Sequence, residues 1–183
     1  MAPKRTPKRP GVRKPGIEAM IRVDHAGEHG AVRIYDGQLA VFGKREATKR
    51  AAATIQEMAA QEQAHLKTFD RLIAERNVRP TAFAPVWNAA GFALGAVTAL
   101  MGEKAAMACT EAVEEVIDEH YAKQEAVLDD QELKRTVTKF RADEIRHRDT
   151  AIEHGAREAP GYALLSRAIK AGCRLAIRLS ERI

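Results

Sequence analysis

Two Glu-x-x-His segments, Glu62-Gln-Ala-His65 and Glu144-Ile-Arg-His147, each follow a single glutamate at a similar interval. Glu28 stands 34 positions before Glu62, and Glu114 stands 30 before Glu144. None of the other four histidines has a glutamate three positions before it. Residues three apart on a helix share a face, so each segment can bring one carboxylate and one imidazole to the same ion. On four helices in chain order the pattern reads Glu, Glu-x-x-His, Glu, Glu-x-x-His. That is the ligand order of a carboxylate-bridged two-metal centre inside a four-helix bundle. The two single glutamates are expected to bridge from their own helices.

The flanking residues reinforce the pattern. Tyr35 and Gln38 follow Glu28 at +7 and +10, and Tyr121 and Gln124 follow Glu114 at the same offsets, close to one helical stripe. The chain therefore reads as an internal duplication of two helix pairs, each supplying half of a metal site. The expected fold is all-α, a ferritin-like four-helix bundle. Four carboxylates pointing into one core would repel, and some would take up protons. Two divalent cations cancel the four charges. Imidazole ligands favour a transition metal over magnesium or calcium, and two open-sided ferrous ions among carboxylates suit dioxygen activation. The chain has neither the paired-cysteine nor the His-Glu-x-x-His pattern that would point to zinc.

The net charge of +5 is concentrated at one end. Lys4, Arg5, Lys8, Arg9, Arg13 and Lys14 lie before residue 15 with no acid among them, and the remainder of the chain carries −1. With four prolines through Pro15, residues 1–16 read as a disordered basic tail. It lacks the apolar stretch of a secretory signal, and a mitochondrial presequence would be more amphipathic and richer in serine. Such a tail suits anionic lipid or nucleic acid. The body of the chain has no nucleic-acid-reading motif, so nucleic acid is not expected as a partner. Cys109 and Cys173 lie far apart in sequence and read as reduced and buried.

Residues 17–183 are expected to form one domain. The helices are expected over about 17–41, 46–77, 103–128 and 131–155, with a further one after Pro160. Glycines 27, 30 and 37 in the first helix point to close packing. Between them and the third bundle helix, the 23 residues from Pro80 to Gly102 carry no charge. Starting at Pro85, a helix there would be about 24 Å long at about 1.5 Å per residue, short of a bilayer core of about 30 Å. The segment reads as an additional apolar membrane-associating helix or an oligomer contact, with Gly91-x-x-x-Gly95 allowing close helix approach. An ordinary buried helix is the alternative. The last helix pairs a basic stripe of Arg167, Lys170, Arg174 and Arg178 with Leu164, Leu165, Ala168, Ile169, Leu175, Ala176 and Leu179. It reads as a C-terminal amphipathic helix lying on an anionic membrane, or as one packed on the bundle with solvated arginines.

Several longer stretches carry a family resemblance. They are Arg22-Val-Asp-His-Ala-Gly-Glu28, Ile34-Tyr35 with Gly37-Gln38, Val78-Arg79-Pro80-Thr81, Trp87-Asn88 with Gly91-Phe92, and Ala106-Met-Ala-Cys-Thr110. Val113-Glu-Glu115, His120-Tyr121, Ala159-Pro160, and Ala171-Gly-Cys173 through Ser180-Glu-Arg182 belong with them. Together they closely resemble the demethoxyubiquinone hydroxylases, di-iron carboxylate monooxygenases of ubiquinone biosynthesis. The resemblance spans about residues 17–183 and departs most between Arg45 and Ala60. It places the family's iron ligands on Glu28, Glu62, His65, Glu114, Glu144 and His147, the six that spacing selects, with Glu115 the rival of Glu114. It implies two Fe ions, dioxygen as co-substrate, NADH as an electron source, and ring hydroxylation of a demethoxyubiquinol with a polyprenyl tail. No Gly-x-Gly-x-x-Gly marks a dinucleotide domain. The implied setting is peripheral, on the cytoplasmic face of a bacterial inner membrane, with the matrix side of a mitochondrial inner membrane as the alternative. Other ubiquinone-biosynthesis proteins and a second copy of the chain are implied partners. A ferroxidase or a non-enzymatic membrane-associated scaffold would be the competing readings.

Three further expectations concern the site's surroundings. Asp143, just before Glu144, is expected to orient His65, with Gln61 in the equivalent place for the other half. His120 and Tyr121 are expected to line the ring pocket or relay electrons. The tail is expected to run along Trp87, Phe92, Leu94 and Leu100.

Overall fold

The computed structural model of the chain describes residues 16–43 and 46–183. The basic tail expected over residues 1–16 lies outside the described residues, apart from Gly16. Six α-helices and two short 3-10 turns make up the regular structure, with no strand among the described residues. Helix α1 (Ile17–Phe42) carries Glu28. A turn at Glu46–Thr48 leads into α2 (Lys49–Glu75), which carries the first Glu-x-x-His. After the apolar α3 (Ala84–Leu100), α4 (Glu103–Glu125) carries Glu114 and α5 (Gln131–Glu153) the second Glu-x-x-His. A turn at Ala156–Glu158 precedes α6 (Tyr162–Ser180).

Local chemistry sets these bounds. Helix α2 stops where Asn77 takes a left-handed φ of 50°, a conformation Asn tolerates better than most residues. Pro85 sits in the first turn of α3, where its missing N–H removes no helical bond. At the start of α5, Asp130 Oδ1 accepts from the Glu132 and Leu133 amides at 3.1 and 3.0 Å, a cap worth about 1 kcal/mol.

Helices α1 and α2 form one hairpin, and α4 and α5 the other. One apolar cluster at one end of this four-helix bundle includes Phe42, Ile55, Met58 and Met107. A second includes Ile21, Phe69, Leu133 and Phe140. The ligand-type side chains lie between them. Each hairpin's first helix has a cover: α3 lies along α1, and α6 lies against α4.

The glycines of α3 serve this packing within the chain: the helix that approaches Gly91-x-x-x-Gly95 closely is α1. A Cβ at Gly95 would overlap the Ile34 carbonyl oxygen, and one at Gly37 would overlap that of Phe92. Gly91 sits against the Gly30 carbonyl and Arg33. Gly27 and Gly30, also expected to mark tight packing, would have no heavy atom within 4 Å of an added Cβ.

The α6 stripe also differs from expectation. Lys170 pairs with Glu115 at 2.7 Å and Arg174 with Glu119 at 3.1 Å, both on α4, so half of the basic stripe faces the bundle. Ile169 and Leu165 join Cys109, Ala112 and Val113 in a third apolar cluster. Leu164 and Leu175 stay exposed, as do Val86, Val97 and Leu100 of α3. No helix among the described residues is long and apolar enough to cross a membrane.

Candidate metal centre

The six ligand candidates meet at the centre of the bundle. Glu28, Glu62, His65 and Glu144 form one group whose ligand atoms lie within 4.8 Å of one another, and Glu62, Glu114, Glu144 and His147 form a second. Glu62 and Glu144 belong to both. Two cations held there would share Glu62 and Glu144, whereas the sequence reading had the single glutamates Glu28 and Glu114 as the bridges. Glu115, the rival of Glu114, points away and pairs with Lys170.

Both imidazoles present Nδ1 to the carboxylates. His65 Nδ1 lies 3.2 Å from Glu144 Oε1 and 3.5 Å from Glu28 Oε2. His147 Nδ1 lies 2.9 Å from Glu62 Oε1 and 3.4 Å from Glu144 Oε2. The outward nitrogens are held by the opposite segment. His65 Nε2 meets Asp143 Oδ2 at 3.1 Å, as expected, and His147 Nε2 meets Gln61 Oε1 at 2.9 Å. Donation from Nε2–H leaves the Nδ1 lone pair for an ion. Arg146 in turn bonds Asp143. The halves thus differ in chemistry, with a carboxylate behind His65 and an amide behind His147.

The two single glutamates, terminal in that arrangement, are held by tyrosines exchanged between the hairpins. Tyr35 of α1 donates to Glu114 Oε1 at 2.7 Å, and Tyr121 of α4 donates to Glu28 Oε1. The glutamines at +10 cross over too. Gln38 donates to the Ala106 carbonyl at 3.1 Å and Thr110 Oγ1 at 3.4 Å, and Gln124 donates to Asp24 Oδ1 at 2.6 Å.

The four carboxylates are no more than 1% exposed, yet much of their hydrogen-bonding capacity is unmet. Glu28 Oε2, Glu114 Oε2, both oxygens of Glu62 and of Glu144, and Nδ1 of both histidines have no hydrogen-bond partner. Buried polar atoms left this way are costly, and clustered around one point they fit a cation pair. Without cations, burial first and then the neighbouring carboxylates raise Glu62 and Glu114 well above the usual carboxylate range. Glu144 is raised mainly by burial. Burial opposes charge on His65, but the Glu144 and Glu28 carboxylates beside its Nδ1 outweigh it and push its pKa up to about 10. Burial lowers that of His147.

An apolar cavity of about 510 Å³ reaches the Glu28 side of this centre from between α3 and α6. Trp87, Leu94, Ile169, Leu175 and Ile177 line its length, and Asp24, Glu28, His120 and Tyr121 line its inner end. Gly27 and Gly30 border it, which accounts for the space beside their α carbons. His120 and Tyr121, expected at a ring pocket or in electron relay, line this cavity. Of the four residues expected along the tail path, Trp87 and Leu94 line the cavity. Phe92 instead lies under the Arg33 guanidinium, 5.0 Å from ring centroid to guanidinium carbon, and Leu100 faces outward, 66% exposed. Cys173, expected buried, is half-buried in the cavity wall.

Sequence reasoning missed Asp24. It stands one turn before Glu28 inside the Arg22–Glu28 stretch. Its signal was that the matching position before Glu114 holds Thr110, a neutral residue.

The family model for ubiquinone biosynthesis protein COQ7 matches residues 15–180. A Rhodospirillum rubrum protein named 3-demethoxyubiquinol 3-hydroxylase is 57% identical, over 91% of this chain and 78% of its own. A Mus musculus protein named NADPH-dependent 3-demethoxyubiquinone 3-hydroxylase, mitochondrial, is 49% identical, over 93% of this chain and 80% of its own. The Saccharomyces cerevisiae 5-demethoxyubiquinone hydroxylase, mitochondrial, is 41% identical, over 91% and 78%. The mouse name specifies NADPH, where the sequence reading had NADH. With the match running nearly end to end, the chain belongs to the COQ7 family of ubiquinone biosynthesis proteins.

Proposed function

We propose that the chain is a 3-demethoxyubiquinol 3-hydroxylase, an oxidoreductase that hydroxylates the ring of a polyprenyl demethoxyubiquinol during ubiquinone biosynthesis. Its co-substrates are dioxygen and two electrons from a nicotinamide nucleotide. The observation that carries this reading is the pairing of two carboxylate–imidazole groups with an apolar cavity that ends beside them.

Glu28, Glu62, His65, Glu114, Glu144 and His147 would hold two iron ions, Glu62 and Glu144 serving both. Ferrous ions bound there supply the activation of dioxygen. The rest is done by the chain. Tyr35 and Tyr121 fix the terminal carboxylates, and Asp143 and Gln61 fix the imidazoles. The cavity orients the ring and excludes water.

Residues 17–183 act as one hydroxylase domain, with the basic tail as an accessory that touches anionic lipid. The cavity lies beside two exposed apolar faces, Val86 and Val97 on α3 and Leu164 and Leu175 on α6. These faces suit a membrane surface from which a polyprenyl tail is drawn. The enzyme is then a peripheral membrane protein, on the cytoplasmic face of a bacterial inner membrane in the reading preferred from the sequence. Other ubiquinone-biosynthesis proteins, or a second copy, are its partners there.

Anaerobic loading with ferrous iron, followed by quinol, labelled dioxygen and mass analysis of the product, tests the function. Incorporation of one labelled oxygen atom into the ring supports it. Iron oxidation with the quinol returned unchanged would make the protein a ferroxidase.

A further inference from the structure

The inner end of the cavity holds a carboxylate that is no metal-ligand candidate. Asp24 is 2% exposed and lines the cavity one helical turn before Glu28, about 6 Å along α1. Its Oδ1 is occupied, with Gln124 Nε2 at 2.6 Å and His120 Nε2 at 3.1 Å. Its Oδ2 has no hydrogen-bond partner. A carboxylate oxygen buried without a donor is expensive, and nearly all of the surrounding wall is apolar. Burial raises the pKa of the group, the two nitrogens on Oδ1 oppose that shift, and they hold its orientation. What remains is one bare acceptor, beside the centre, on the wall of an apolar cavity of about 510 Å³.

We propose that Asp24 anchors the substrate ring, with Oδ2 accepting a hydrogen bond from a ring hydroxyl, so that the cavity selects the reduced quinol over the oxidised quinone. The inference rests on the assignment of this cavity to the quinol. A quinol presents O–H donors, whereas a quinone presents only carbonyl acceptors, which a carboxylate repels. The anchor therefore admits the electron-rich ring that hydroxylation needs. His120 and Gln124 act as positioning residues, through Asp24.

Trp87, the one tryptophan of the chain, lines the cavity, so its fluorescence reports occupancy without turnover. The test is an anaerobic titration of the iron-loaded protein with three short-tailed ligands: a demethoxyquinol, its quinone, and its dimethyl ether, which has no donor. Wild-type protein is expected to bind the quinol roughly tenfold or more tighter than either of the others, the discrimination typical of a hydrogen bond to a charged group. Asp24→Asn places an amide donor where Oδ2 stood. It is expected to lose that preference and to bind the quinone at least as well as the quinol, with iron content unchanged.

Equal affinity of wild-type protein for quinol and dimethyl ether overturns the proposal, and this comparison needs no variant to fold. An unchanged quinol-to-quinone ratio in Asp24→Asn overturns it as well. The outcomes separate from those for the function. A protein that discriminates as expected but leaves the quinol unhydroxylated keeps the anchor and loses the hydroxylase. One that hydroxylates without discriminating keeps the hydroxylase and loses the anchor.

Discussion

The Tyr35 hydroxyl of α1 donates to Glu114 of α4 at 2.7 Å across the bundle, and Tyr121 of α4 returns the same bond to Glu28 of α1. The repeat is thus an exchange: each hairpin steadies the terminal carboxylate of the other. Removing the hydroxyl leaves a buried carboxylate oxygen without its donor, at a cost of about 1–3 kcal/mol. Tyr35→Phe is expected to weaken iron retention at the Glu114 group while leaving the helical content intact. Iron released against a graded chelator, with circular dichroism as control, measures this.

The shared glutamates and the terminal ligands should behave differently on mutation. Glu62→Ala removes an oxygen ligand from both groups, so both irons and all hydroxylation are expected to be lost. His147→Ala disturbs only the group containing Glu114 and should leave about one iron per chain, with hydroxylation abolished. Metal analysis of the purified variants distinguishes the two. Equal iron content in both would sink the assignment of Glu62 as the shared ligand.

Asp143 reaches the candidate metal centre through His65. Asp143→Leu is expected to lower iron affinity about 10–100-fold, the usual effect of losing such a partner, and Asp143→Asn by less because an acceptor remains. Gln61→Leu should weaken the other half by a smaller factor, since a neutral amide holds His147. Competitive metal titration ranks the three.

Proton linkage gives the pH dependence its sign. Glu62, Glu114, Glu144, Asp24 and His65 all bind protons more tightly in the folded apo-protein than in an unfolded chain. Their contribution to apo-stability is present at low pH and is lost as pH rises, through the carboxylate range and on to about 10 for His65. His147, with its pKa lowered, acts in the opposite direction. A bound cation would replace these protons, so the rise in Tm on loading with ferrous iron should grow between about pH 6 and about pH 8. Calorimetry of apo- and loaded protein at the two pH values checks this, and a weakly buffered titration should detect proton release on loading.

The outward faces of α3 and α6 are separable from the cavity wall. Val97→Asp with Leu164→Asp, both at exposed positions, should weaken vesicle binding and turnover of long-tailed quinol, with a tailless quinol converted as before. Leu94→Asp puts a charge in the cavity wall and should impair both substrates. Co-sedimentation with vesicles, paired with the two turnover assays, separates docking from channel.

Much of this centre was legible in the sequence because helical periodicity fixes which residues share a face. Glu62 with His65, and Glu144 with His147, had to point the same way, and the +7 and +10 offsets marked a repeat. What spacing could not carry was the relation between helices. Whether Glu28 or Glu62 is common to the two ligand groups depends on how the helices are set against one another. For the same reason the cross-strapping of Tyr35 and Tyr121 was visible only as repetition. The glycines of α3 announced a close approach without naming the partner, which proved to be α1. Asp24 was hidden by its neighbours, since a lone aspartate on a helix reads as solvated until the opposite wall is known to be apolar.

At Gly95 and Gly37 no side chain separates α3 from α1, so the helix that would meet lipid and the helix that bears Glu28 share one stiff edge. In a membrane-docked enzyme this edge is a depth gauge. However far α3 would settle among the headgroups, the carboxylate of Glu28 would travel with it and keep a set distance from that helix.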